Sequence, residues 1–279
     1  PVSLGTRLGG VGWVFLAPAI LLMAFVYVAP LFDSFAISFH PNTPQGIDRG
    51  TWILGNYARL VDEYYLGVLV RTVRISLIIM LVSVLLAYPV AMWMTELSPR
   101  AQTWAILVYM SPWLVNTVVK SFGWTLILGN RGVINTALQN LGLVDAPIRL
   151  MLNEFGIVVG LVPGHFLFVL LPLWAALKGI DGNLRWAAMT LGAKPWTVFL
   201  RITLPLTLPA LLAGAIINFT MNMAAFAAPA LLGGTRARVL SFVAYQVNLE
   251  ELNWPFGGAL AVAMLAITLS FVALAQWVG

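Results

Sequence analysis

Charged residues cut this chain into long stretches that contain none, and that spacing constrains the fold more than any other feature. A helix rises 1.5 Å per residue and needs roughly 20 apolar residues to cross the hydrocarbon core of a bilayer. Five stretches satisfy this: between Arg7 and Asp33, Arg74 and Glu96, Glu154 and Lys178, Arg201 and Arg236, and from Leu252 to Gly279. A sixth, from Ala101 to about Leu128, is interrupted only by Lys120. Hydrophobic residues make up 61% of the chain and charged ones 9%, against roughly 25% charged in soluble domains, so a soluble core cannot absorb the apolar surface. Closed barrels span bilayers with alternating strands of about ten residues, not with long apolar runs. The chain therefore reads as an all-α integral membrane protein of about six transmembrane helices. Its first span is too long for a cleaved signal peptide and reads as retained.

Six spans put both termini on one side. With the N-terminus in the cytoplasm, the inner segments hold Arg7, Arg100, Lys178, Arg185, Lys194 and Arg201 against only Glu96 and Asp181, whereas eight basic residues on the outer side are matched by eight acids. Basic residues concentrate on the cytoplasmic side of membrane proteins, so this orientation is preferred. The outer segments also carry the turn-forming runs Pro41-Asn42-Thr43-Pro44-Gln45-Gly46 and Gly129-Asn130-Arg131-Gly132. Trp13, Tyr57, Tyr64, Tyr65 and Trp254 fall near the expected interfaces, as belt aromatics do. The net charge of +5 belongs to this topology, with no nucleic-acid module beside it. Cysteine is absent and His40 and His165 are far apart in sequence, so no metal site is expected.

The longest inner loop, between the fourth and fifth spans, runs from Lys178 to Pro205 and is amphipathic. Ala187, Ala188 and Gly192 let a partner approach a short helix closely, and Gly192 suits a helix end. Val198, Phe199 and Ile202 are spaced to anchor one face of a second helix on the bilayer, and Pro205 opens the next span. This segment resembles the docking loop of binding-protein-dependent ABC importer permeases: Glu-Ala-Ala, three residues, Gly, nine residues, Ile-x-Leu-Pro. Ala187, Ala188, Gly192, Ile202, Leu204 and Pro205 fall in register, and Trp186 stands where the family usually has Glu. The resemblance implies that Trp186, Ala187, Ala188, Leu191, Gly192, Ala193 and Phe199 dock on an ATPase.

Further runs narrow the resemblance to the PotB-like branch of spermidine/putrescine permeases, which also includes permeases for opines and amino-acid derivatives. They are Asn56-Tyr57-Ala58-Arg59-Leu60, Ala87-Tyr88-Pro89, Ser111-Pro112-Trp113, Pro147-Ile148-Arg149, Pro229 to Gly234, and Asn253-Trp254-Pro255-Phe256-Gly257. The resemblance implies the type I importer (MetI-like) fold in the bacterial inner membrane. Residues 1–55 would form a first helix and outer loop, and 56–279 a permease core of five helices with the coupling loop at 178–205. It also implies a second homologous permease, two ATPase subunits and a periplasmic binding protein as partners. The chain has no Gly-x-x-x-x-Gly-Lys-Ser/Thr loop to cradle ATP, so it is read as non-catalytic, with ATP and magnesium on the partner ATPase.

Polar groups inside spans face the bundle interior, because lipid cannot satisfy them. Asn218 and Asn222 share one helical face with Phe226 expected on the same stripe, and either line the pathway or join helices. His165, beside a Pro163-Gly164 break, carries the same two readings. Lys120, one turn after Asn116, is expected to snorkel toward the outer interface in a structural or gating role. The spans contain no interior Asp or Glu. A polyamine would then need carboxylates from the partner permease or from Asp145, Glu154, Glu250 or Glu251, and a zwitterionic or anionic substrate gains weight. A gradient-driven secondary transporter is the alternative; it would show paired inverted repeats and buried acids. A membrane-embedded enzyme would need a polar catalytic cluster, which no spacing here suggests.

Overall fold

The computed structural model describes residues 15–278; Arg7 and Trp13 lie outside them. Among these residues the chain is helical almost throughout. The helices are α1 (Phe15–Ile37), α2 (Gly55–Arg59), α3 (Glu63–Glu96), α4 (Pro99–Leu114), α5 (Thr117–Leu128), α6 (Val133–Asn140), α7 (Glu154–His165), α8 (Leu167–Gly179), α9 (Gly182–Thr190), α10 (Pro195–Met223), α11 (Ala227–Leu232), α12 (Leu240–Tyr245) and α13 (Trp254–Val278). A small antiparallel hairpin pairs β1 (Asn42–Thr43) with β2 (Gly46–Ile47).

Four helices, α1, α3, α10 and α13, are long and apolar enough to cross a membrane singly. Two bent pairs pass together: α4 with the run from Thr117 to Asn140, at 91°, and α7 with α8, at 42°. Each pair counted as one span gives the expected six.

The third span is not the straight helix that its composition suggests. Pro112 removes a donor from the last turn of α4, and Val115 is extended. Asn116 then caps a new helix, its side chain accepting from the Val118 N–H at 2.9 Å. The α7–α8 bend follows Pro163 and Gly164, as the sequence indicates.

The second helix of the inner loop also differs from expectation. It is continuous with the fifth span as α10, passing through a π turn at Phe199–Thr203. Pro205 has no N–H to donate, so a wider turn just before it re-registers the ladder at little cost. Val198 and Phe199 meet protein rather than lipid: Val198 is buried, and the Phe199 ring packs edge-on against Tyr88 at 5.0 Å.

The chain forms two compact units. One combines the segment ending at Asp62 with Ala244–Ala263, and the other combines Glu63–Val243 with the segment from Met264. In the first unit, buried Asn56 donates to the carbonyls of Ser38 and His40, both at 2.9 Å, and Tyr57 bonds Ser38 at 2.6 Å. The Arg59 guanidinium lies 4.1 Å over the Phe256 ring. A side chain at Gly257 would run into the Asn248 amide, so this glycine is required by close approach.

The second unit is built on α3, α8 and α10. Lipid is as apolar as leucine, so these helices associate through close packing rather than through exclusion of water. Gly214 of α10 shows the fit: a Cβ there would stand 2.8 Å from the Phe168 carbonyl and 2.9 Å from the Val169 Cα. Around that crossing, Ala87, Ala91, Met94, Leu170 and Leu173 are fully buried. A second cluster, including Ile79, Ile157 and Leu232, fills the end nearer the α3 N-terminus.

Candidate functional site

The loop between α8 and α10 builds a short, exposed helix with a defined stop at each end. Asp181 caps α9, its carboxylate accepting from the Asn183 N–H at 2.9 Å. At the other end Gly192 adopts φ +86°, while the Gly192 N–H bonds the Met189 carbonyl and the Ala193 N–H reaches back to Ala188. That left-handed cap is what glycine tolerates without a Cβ penalty. No residue of α9 is buried. Trp186 is 68% exposed and Leu191 89%, and nothing lies within 4 Å of a Cβ placed at Gly192. Ala187 is exposed, Ala188 and Ala193 are half-covered, and Phe199 turns inward against Trp196 and Tyr88. The seven residues thus divide: six form or end an exposed helix, and Phe199 joins its foot to the bundle. Tyr88 continues that joint through its hydroxyl, 2.8 Å from Thr207 Oγ1 on α10. Only the Ala-Tyr-Pro run pointed to Tyr88 in the sequence, and nothing there marked Thr207.

Within the membrane-spanning helices of the same unit, three of the polar candidates meet. His165 Nδ1 lies 2.6 Å from Asn222 Oδ1, and the Asn218 amide donates to the His165 carbonyl at 2.8 Å. The Asn222 amide donates in turn to Asn218, reaching both its backbone and side-chain oxygens at 2.8 Å. With Asn222 Oδ1 accepting, the ring carries its proton on Nδ1. The network ties the α7–α8 bend to the outer third of α10.

Lys120 and Asn116 belong to the break in the third span. The Lys120 ammonium folds back to donate to the Pro112 carbonyl at 2.7 Å, instead of extending toward an interface. The carbonyl it takes is one of those a helix end leaves unsatisfied. Its Nζ also lies 2.9 Å from where a Cβ of Gly164 would stand, so the break and the α7–α8 bend are neighbours. Phe226 does not continue the Asn218–Asn222 stripe. Helix α10 ends at Met223, where the last turn tightens with the Ala225 N–H bonding Asn222, and Phe226 begins a new turn stacked 6.0 Å from Phe242.

At the opposite end of this unit from α9, Arg71 and Arg74 both engage the Glu154 carboxylate. Beside them opens a cleft of about 520 Å³ lined by Asn130, Arg149, Met151, Leu152, Gly234, Thr235 and Arg236. No local pattern marks it, because its residues come from three separate outer loops.

No family model matches the chain. It is 31% identical over 212 residues, 76% of this chain and 74% of the relative, to the spermidine/putrescine transport system permease protein PotB of Haemophilus influenzae. PotB of Salmonella typhimurium is 30% identical over 267 residues, 96% of this chain and 90% of that protein. A solved bacterial alginate ABC transporter in complex with a pentasaccharide-bound periplasmic protein superposes with a TM-score of 0.77 over 96% of this chain and 93% of the other, at 17% identity. The exposed capped loop helix, the spanning bundle and relatives matched nearly end to end agree: the chain belongs to the PotB family of ABC importer permeases.

Proposed function

We propose that this chain forms half of the translocation pathway for a small organic nitrogen compound, with the energy supplied through α9. One observation carries the reading: α9 is capped at both ends, buries none of its residues and presents Trp186 and Leu191 to an outside partner. A capped, exposed helix on an inner loop with large apolar side chains turned outward is a docking element awaiting a cleft. The occupant is an ATPase subunit, which binds the ATP and magnesium that this chain has no loop to hold. A second homologous permease completes the pathway, and a periplasmic binding protein delivers substrate at the outer end. Residues 56–279 act as the permease core, with 178–205 as its coupling segment. ATP-driven closure of the ATPase pair moves α9 and rocks the spanning helices between inward- and outward-facing states.

The substrates named for the relatives support a polyamine, and the branch as a whole supports amine-bearing compounds more broadly. The docking assignment is tested by copurification of tagged chain with the ATPase subunit of the same system, and by Gly192→Arg. Wild type retains the ATPase through purification and Gly192→Arg loses both retention and uptake. Uptake that survives Gly192→Arg, with no ATPase retained by wild type, sinks the reading.

A further inference from the structure

Near the foot of the docking loop, α3 and α10 meet through one side chain. Tyr88 of α3 sets its ring edge-on to Phe199 at 5.0 Å, and its hydroxyl lies 2.8 Å from Thr207 Oγ1. Thr207 fixes the direction of that bond. Its single hydroxyl proton is committed to the backbone of its own helix, with the Thr203 carbonyl at 2.9 Å and the Leu204 carbonyl at 3.1 Å. Tyr88 is therefore the donor. Phe199 and Thr203 are the first and last residues of the π turn in α10, so Tyr88 holds that turn at both ends, by its ring at the start and through Thr207 at the finish. Thr203 and Thr207 are buried, and a hydrogen bond out of reach of water is stronger than one in it. The neighbouring elements converge on the same place. Pro89, the residue after Tyr88, removes a donor from the ladder of α3. On the docking side, Arg185 of α9 has its Nε buried, and its charge is felt at the Tyr88 hydroxyl.

We propose that Tyr88 is the positioning residue of energy coupling in this permease: it limits how far the π turn flexes, so that displacement of α9 passes to α3 and α10 together and is not absorbed at the turn. The proposal rests on the importer reading above and adds the side chain through which the docking movement is passed on. A π turn interrupts the regular ladder and is one of the few places where a helix bends sharply, as is a proline. Here the two coincide, because Pro205 follows the turn directly. A helix loaded at its inner end gives first at such a point unless a neighbour braces it, and the phenol of Tyr88 is the brace. Tyr88 and Thr207 belong to α3 and α10, so substituting them leaves the exposed side chains of α9 in place.

The test uses the complete importer in proteoliposomes with its own binding protein, offered spermidine, putrescine and octopine, and reads the amount taken up per ATP hydrolysed. Tyr88→Phe, which keeps the ring on Phe199, and Thr207→Val, which removes the acceptor, each lower that ratio by about threefold or more, with ATPase retention unchanged. Thr207→Ser, which keeps the hydroxyl, retains the wild-type ratio. The chain has no cysteine, so spin labels can be placed at exposed Lys194 and Ile217 on either side of the turn; their distance distribution is broader in Tyr88→Phe than in wild type. An unchanged ratio in both variants overturns the proposal and leaves the importer reading standing. A lowered inactivation temperature at an unchanged ratio also overturns it, because the bond then only stabilises the bundle. A loss in Tyr88→Phe that Thr207→Val does not share overturns it as well, because the hydroxyl then acts on another group. Wild type that retains no ATPase, or takes up none of the three compounds, brings down the importer reading and this proposal together.

Discussion

At the scale of single residues, Gly192 and Asn222 hold very different positions. Gly192 is in open space, so a substitution there is opposed by backbone conformation alone. Gly192→Ala is expected to cost about 1 kcal/mol locally, fraying the end of α9; ATPase retention should fall while the thermal stability of the isolated permease stays the same. Asn222 is buried and bonded on both sides. Asn222→Leu strands His165 Nδ1 and the Asn218 oxygens and should destabilise the bundle by about 1 kcal/mol, read as a lower inactivation temperature in detergent. On the outer loop, the Asp48 carboxylate accepts from the Thr51 hydroxyl at 2.8 Å and the Gly50 N–H at 2.9 Å, and these bonds hold its pKa below the usual carboxylate value. Its stabilising effect is therefore present above the unfolded value and is lost as pH falls through the lower folded one. Carboxyl titration by NMR should place the Asp48 midpoint below that of an unstructured peptide.

The elements were legible to different degrees, and the reasons are physical. Uncharged length finds α3, α10 and α13, because any span of lipid demands it. The cap of α9 was readable from Gly192, since a glycine after a short amphipathic run has few other uses. The 91° break at Val115 and Asn116 was not readable from hydropathy, which averages straight through it. Its signals, Pro112 and a capping Asn, stood in the sequence but are tolerated within many spanning helices. Pro112→Ala with Asn116→Ala should shift the third span toward a continuous helix and free Lys120 from its carbonyl, visible as a lost short distance between labels at Trp104 and Leu126. Phe226 was misplaced for a related reason: periodicity assigns faces but does not say where a helix stops. Helix crossings were hidden as well. Gly214 looked like any glycine in a span until α8 came against it, and Gly214→Leu should prevent assembly of the unit, checked by the yield of folded protein.

For the molecule as a whole, charge asymmetry and the Ala-Ala-Gly spacing anticipated an ABC importer permease, and relatives matched over most of their length agree. What stayed out of reach was every site assembled from distant loops, the Arg149 and Arg236 cleft above all, because no local pattern announces a convergence of loops. Two of the runs that carried the family likeness turn out to be architectural: Asn56 ties loop carbonyls together, and Gly257 admits Asn248. They preserve shape, which explains why they identify a branch better than they identify a substrate.

The continuity of α10 has a mechanical consequence. Its 29 residues make a rod of about 43 Å, rooted beside α9 and carrying Asn218 and Asn222 near its far end. Force applied at Trp196 reaches the polar network as tilt of a lever arm, with the π turn at Phe199–Thr203 as a soft joint near its root. Spin labels at Leu206 and Thr220 should therefore keep a fixed separation through the ATP cycle, while one at Trp196 moves relative to both.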